Sequence, residues 1–329
     1  LDRALELAEA MQDRDPKSRT YGNFRWYWEG DAPHDLNAVE FCMQQGVLAW
    51  KLYHDRLPTP AAERLERLIR FSIEGIHRHR VSEAYTNIFL MKTWNCVAIG
   101  EATGRPDLAA EGAAMLDRWL RYTLANGLSE YNSPTYTGVD LDSLGLLARF
   151  AQRPATRRDA EAALRFLWAD VAANWFPPTQ RLGGSRSRDY DYLGGRGYLH
   201  DYLRRLGWAT DAPPRPSVFF QLCYWQPPKD ALAAGEAVPR LIHRRWGPQP
   251  WQRAVHYVGK HFSIGSDGGC YNPEDKPFAA DFDAGVPTPQ MYFVMDARGD
   301  PCGKKPFLTG ASGHHKAWHI EPFLATVQD

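Results

Sequence analysis

The chain has no surplus of charge of either sign: 39 Lys and Arg stand against 39 Asp and Glu in 329 residues. A balanced chain sets up no net field toward nucleic acid or an anionic membrane, so neither is an expected partner, and an acidic ligand must be met by a local basic patch. It also lacks any apolar run approaching the roughly 20 residues that span a bilayer, and no basic-then-apolar leader opens it. The first residue is Leu1 rather than Met. A leader cut off upstream is compatible with that, and a secreted or periplasmic location is the expectation.

Cysteine is scarce too. The five, at positions 42, 96, 223, 270 and 302, show no C-x-x-C spacing, which argues against a structural zinc cluster and leaves room for one or two disulfides at most. Cys42 and Cys96 fall in helical patterns and read as buried small hydrophobes. The histidines of Gly313-His314-His315-Lys316-Ala317-Trp318-His319 have neither the i, i+4 spacing of a zinc helix nor a carboxylate pair beside them. There is no Walker loop, no G-x-G-x-x-G after a strand and no G-x-S-x-G. No cofactor and no metal is expected.

Aromatic side chains, by contrast, are abundant, with 12 Trp and 15 Tyr. Beyond what a core needs, flat rings of this kind make platforms for sugars. From residue 1 to about 176, apolar residues return every three or four positions, which predicts successive amphipathic helices. Leu1, Leu5, Ala8 and Met11 form one stripe, Leu36, Val39, Met43, Val47 and Trp50 the next, and Leu65, Leu68, Ile69, Ile73 and Ile76 a third. Ser82 is the expected N-cap of a helix through Ile88, Met91, Trp94 and Val97 that stops at Gly100 or Gly104. Pro106 restarts the chain, Asn126-Gly127 ends that helix, and two more cover about 139–152 and 156–175. At least seven helices joined by short connectors suit a bundle or a ring of helical hairpins, and the loop content favours the ring. After Pro213, Pro214 and Pro216 and a short helical stretch, strands are expected over 256–265, 290–295 and 317–327. The expected fold is therefore mainly α, an (α/α) toroid over 1–255, with a small β-rich segment over 256–329 that looks cut short.

Three connectors, at 22–34, 130–138 and 183–197, are richer in aromatic, Asn, Arg and Gly residues than turns require, and such loops usually carry function. The last is the densest: Arg186, Arg188 and Arg196 offer planar forks for a carboxylate, and their charge favours a phenolate at Tyr190 and Tyr192, as proton transfer from carbon requires. The plainer alternative is a solvated loop whose Arg and Asp residues pair with one another. In the middle connector, Asn132 and Tyr136 are positioned to face a ligand, since an amide can bond a carboxyl group without adding negative charge. Asn87, Met91, Trp94 and Asn95 share one side of a helix. His77 and His79 close the helix before it, where the helix dipole favours their charged form. Trp26 and Asn37 belong to an aromatic wall and polar floor.

The set Asn23-Phe24-Arg25-Trp26-Tyr27, Asp35-Leu36-Asn37-Ala38-Val39-Glu40-Phe41, Tyr85-Thr86-Asn87, Asn132-Ser133-Pro134-Thr135-Tyr136 and Ser187-Arg188-Asp189-Tyr190-Asp191 resembles the helical-toroid polysaccharide lyases, in particular the family that holds glucuronan and alginate lyases (polysaccharide lyase family 38). The resemblance spans roughly residues 20 to 200. It implies an (α/α) toroid and cofactor-free β-elimination of a 4-linked polyuronate. It further implies Tyr192 as first choice for base and acid with Tyr190 close behind, Arg186 or Arg188 on the carboxylate, and Asn87 with Asn132 assisting. Arg188, Tyr136, Trp26, Asn37, His79 and Trp94 are the expected substrate-binding residues. Relatives often carry a His where Arg186 stands, so a tyrosine-only syn elimination of mannuronate or glucuronate is the expectation. The alternatives are a toroid glycoside hydrolase drawing on Glu130, Asp140, Asp142 and Asp191, and a carbohydrate-binding protein without activity.

Overall fold

A computed structural model describes residues 1–190, 197–210, 218–269, 271–272, 275–285, 290–292, 315–320 and 323–328. The chain is mainly helical with a smaller sheet portion, and it divides into two compact units, Leu1–Trp119 with Leu146–Ala160, and Leu120–Gly145 with Glu161–Asp329. The division falls inside the helices α5 (Pro106–Asn126), α6 (Tyr136–Phe150) and α7 (Pro154–Asn174).

The first unit is built on α1 (Asp2–Met11), α2 (Ala38–Tyr53), α3 (Thr59–Arg78) and α4 (Thr86–Ala102). On α3 the buried residues Ala61, Leu65, Leu68, Ile69, Ser72 and Ile76 recur at three- and four-residue intervals, giving one apolar stripe and one charged face. That stripe packs on α1 and α2, and α2 packs in turn on α4. Helix α4 shows no such stripe because 15 of its 17 residues are buried; a helix enclosed on all sides has no reason to be polar anywhere. Each of its fully buried large apolar side chains contributes on the order of 1.5–3 kcal/mol. Ser82 does not cap α4: Tyr85 occupies the N-cap, and residues 82–85 close a turn in which the Tyr85 amide donates to the Ser82 carbonyl at 3.0 Å.

In the second unit, α7 runs into a two-residue hairpin, β1 (Trp175–Phe176) and β2 (Arg181–Leu182), and the short helices α8 (His200–Arg205), α9 (Val218–Cys223) and α10 (Lys229–Leu232) follow. Five antiparallel strands then form one sheet in chain order: β3 (Arg240–Arg245), β4 (Arg253–Val258), β5 (Phe262–Asp267), β6 (Phe278–Phe282) and β7 (Gln290–Tyr292). A separate hairpin pairs β8 (His315–Ile320) with β9 (Phe323–Gln328). The sheet thus begins before the expected boundary at 255/256, which cuts β4. Strand β3, Arg-Leu-Ile-His-Arg-Arg, shows no strand pattern in the sequence because it has only two apolar residues and no fully buried position. The expected single strand over 256–265 is two strands folded back at Gly259, whose amide donates to the Phe262 carbonyl at 2.9 Å.

Candidate functional site

The loop from Gly183 to Tyr190 is held in the second unit by partners distant in sequence. Asn132 sits at φ 51°, a left-handed conformation that Asn tolerates, and its Nδ2 donates to the carbonyls of Gly183 and Ser185 at 2.9 Å each. Arg186 and Lys276 exchange both backbone hydrogen bonds, at 3.0 and 2.7 Å. The Arg188 amide donates to Asp275 Oδ1 at 2.8 Å, fixing that residue at φ 46°. Ser185 Oγ lies 2.7 Å from His256 Nε2, and His256 Nδ1 lies 2.6 Å from Asn174 Oδ1. All three are fully buried, and the imidazole is so tightly flanked that a Cβ on Gly184 or Gly265 would fall 2.5 Å from a ring carbon. This Ser–His–Asn chain therefore clamps the loop to β4, and its burial leaves no route for a substrate to the hydroxyl.

The clamp presents Arg188 to a cluster of phenols. Its Nη1 donates to Glu130 Oε1 at 2.8 Å, its Nη2 to Tyr136 OH at 3.0 Å and Tyr190 OH at 2.8 Å, and its Nε to Tyr190 OH at 3.1 Å. The guanidinium also lies 4.2 Å from the centre of the Tyr136 ring, and the two tyrosine rings meet edge to face at 5.9 Å. Burial works against the charged form of Arg188, but Glu130, Tyr136 and Tyr190 together outweigh it and keep the group cationic. Burial likewise pushes the Tyr136 phenol well above its ordinary value, with Arg188 opposing. Tyr190 is 39% exposed, so its hydroxyl stands where the cluster opens to solvent. Asp140 is fully buried; burial, reinforced by the Glu130 charge, pushes it well above the carboxylate range and keeps it a neutral acid.

Several expected site residues do other work. Arg186 is 4% exposed and its Nη2 donates to Asp281 at 2.8 and 2.6 Å, with Asp189 at 3.4 Å. Lys276 Nζ lies 2.8 Å from Asp189, so two cations and two anions balance in the interior and Arg186 is committed. Asn132 spends both amide hydrogens on loop carbonyls and so has none for a substrate carboxylate. In the first unit, Asn87 is buried in the opening turn of α4, where its Oδ1 accepts the Ile88 amide at 2.6 Å. Trp94 is fully buried and donates to the Gln44 carbonyl at 3.4 Å, a core residue with no face for a sugar. His79 pairs through Nδ1 with Glu40 at 3.0 Å, and Lys92 donates to its carbonyl at 2.6 Å. Asn37 donates to Tyr85 OH at 3.0 Å from the N-cap of α2. Trp26 is 42% exposed and anchored by its Nε1 on Asp35 at 2.9 Å, and its neighbours Tyr27 and Trp28 are exposed as well. Tyr192, Asp191 and Arg196 lie outside the described residues.

The structure brings Arg188, Tyr136 and Tyr190, expected site residues from two different loops, into one hydrogen-bonded cluster, and around the loop it places Asp275, Lys276, Asp281 and His256, which the sequence had not singled out. Their one signal was polar side chains at inward strand positions: Ser263, Ser266, Asp267 and Asp281 are all fully buried. Among the described residues no group of three or more His, Cys, Asp or Glu is placed to hold a metal ion, and no helix is long and apolar enough to cross a membrane. No curated protein and no solved structure matches the chain. A family model does match residues 6–196, more than half of the 329, and the chain therefore belongs to the family described as Domain of unknown function (DUF8769).

Proposed function

We propose that the protein is a secreted or periplasmic polysaccharide lyase that cleaves a 4-linked polyuronate, glucuronan or mannuronate-type alginate, by β-elimination. The fold expected of such an enzyme is an (α/α) toroid, to which the run of helices α1 to α7 is suited. The observation that carries the reading is the Tyr190 hydroxyl, partly open to solvent and receiving two N–H groups of Arg188, whose other side is held by Glu130. In β-elimination a base removes the C5 proton, the electron pair forms the C4–C5 double bond, and the C4–O4 bond breaks, with a proton returned to O4. The Tyr190 oxygen, as phenolate, takes the first proton and as phenol gives it back on the same face. Arg188 stabilises negative charge on that oxygen, and the Nη2 group it shares with the Tyr136 hydroxyl can turn to the substrate carboxylate, because that hydroxyl is a neutral partner a carboxylate can displace. Arg186 cannot share this task.

Two carboxyls able to reach a sugar from solvent would favour hydrolysis instead. Glu130 and Asp140 are both fully buried, and Asp142 accepts a 2.5 Å hydrogen bond from Tyr202 in the interior. The test is incubation with glucuronan and alginate while following absorbance near 235 nm, where the unsaturated uronate absorbs. Tyr190→Phe is expected to lower the rate by about 10²- to 10⁴-fold with binding retained. Reducing ends without absorbance would sink the lyase reading, and an active Tyr190→Phe chain with a dead Tyr192→Phe chain would move the base to Tyr192.

A further inference from the structure

A cavity of about 660 Å³, sharing no residue with the Tyr190 cluster, opens in the second unit between the end of α7 and α10. Trp175 and Trp208 line it, stacked with ring centres 5.3 Å apart and planes 25° from parallel. Its two walls are tied together. Arg240 Nε donates to the Ala173 carbonyl at 2.5 Å and Nη2 to that of Trp175 on one wall, while Nη1 donates to the carbonyls of Gly235 and Ala237 at 3.2 and 3.0 Å on the other. The Trp208 segment is fixed as well, because Gln180 Oε1 accepts the Thr210 amide at 2.8 Å and its Nε2 donates to Thr210 Oγ1 at 3.0 Å. Gln180 does this from φ 52°, as the left-handed cap of the 3-10 turn Pro177–Thr179 that joins β1 to β2.

At the rim stand Lys229 and Glu236, both exposed and neither in an ion pair among the described residues. They supply one strong donor and one strong acceptor with no net charge. A rigid indole face beside a mixed donor and acceptor rim fits a pyranose: the C–H face of the ring is apolar and meets the negative π face, and the hydroxyls around its edge both give and take hydrogen bonds. We propose that this cavity is a glycan-binding subsite that takes one pyranose ring of a neutral or acidic chain. It does not depend on the lyase reading.

The test uses the full chain carrying Tyr190→Phe and 5-fluorotryptophan, with absorbance at 235 nm followed in the same samples so that any residual cleavage is seen. The Trp208 fluorine resonance is identified by its loss in Trp208→Phe. Cellohexaose and a glucuronan hexasaccharide at millimolar concentration should each displace it, and Lys229→Ala or Glu236→Gln, surface changes that leave the core intact, should weaken both responses several-fold. An unmoved Trp208 resonance with both sugars would overturn the proposal, as would displacement by adenosine monophosphate alone. A response to the glucuronan hexasaccharide alone would overturn the charge-balanced assignment. Absence of 235 nm absorbance from the unsubstituted chain defeats the lyase reading and leaves this one standing.

Discussion

Arg188 shows how one side chain can be fixed by groups that lie apart in sequence. Glu130, Tyr136 and Tyr190 each take one or two of its N–H groups, and Asp275 takes its amide. A lysine here keeps the charge but is a point donor without the planar fork. Arg188→Lys is therefore expected to cut kcat/KM on polyuronate about ten- to hundred-fold, the loss of one charge-assisted hydrogen bond, while leaving the thermal midpoint nearly unchanged. Equal activity in the lysine chain would remove Arg188 from the reaction. The sequence made Arg188 a candidate because Arg and Tyr alternate in one Gly-rich loop. It could not separate Arg188 from Arg186, since the aspartate that commits Arg186 sits 95 positions away.

At the scale of elements, helices were legible and strands only in part: strands do lie within 256–265, 290–292 and 317–327, whereas β3 and β6 left no alternating pattern. Stripes such as that of α3 repeat within one segment, and the expected stop at Gly127 coincides with φ 81°. Strand β5 is different: its register against β4 sets Gly265 opposite His256, and the ring fills the space above the glycine. Gly265→Ala should force the imidazole off Asn174 and Ser185, costing about 1–3 kcal/mol by overpacking. Urea denaturation measures that loss, and because the loop that carries Arg188 hangs on the same clamp, activity should fall further than stability alone explains. An alanine chain as stable as the parent would show that the ring has room to move.

Across the whole molecule, buried acids set the pH range of stability. Burial pushes Asp142 and Asp275 up to about 7, against hydrogen bonds from Tyr202 in one case and backbone amides in the other. Each has a folded value raised above an unfolded value near ~3.9, so the stability it adds is complete below pH ~4 and is lost as pH rises through about 7. Glu9 runs the other way: despite the cost of burial, Arg67, Arg64 and Arg14 hold it at about 2, and its contribution is lost as pH falls toward that value. The thermal midpoint should accordingly peak near pH ~5 and be lower at both pH ~3 and pH ~8; a midpoint that climbs steadily to pH ~8 would contradict this. The sequence by itself determined the helices, the absence of a charge bias and the aromatic, arginine-bearing loops, because periodicity and composition are local properties. Only the tertiary structure decided that Arg188 meets the Tyr136 and Tyr190 hydroxyls while Arg186 pairs with Asp281, that Asn132 bonds the carbonyls of the loop and Trp94 lies in the core, and that His256 holds the loop in place. Each of those outcomes depends on a partner from a distant strand or helix, and pairing across such distances is set by packing.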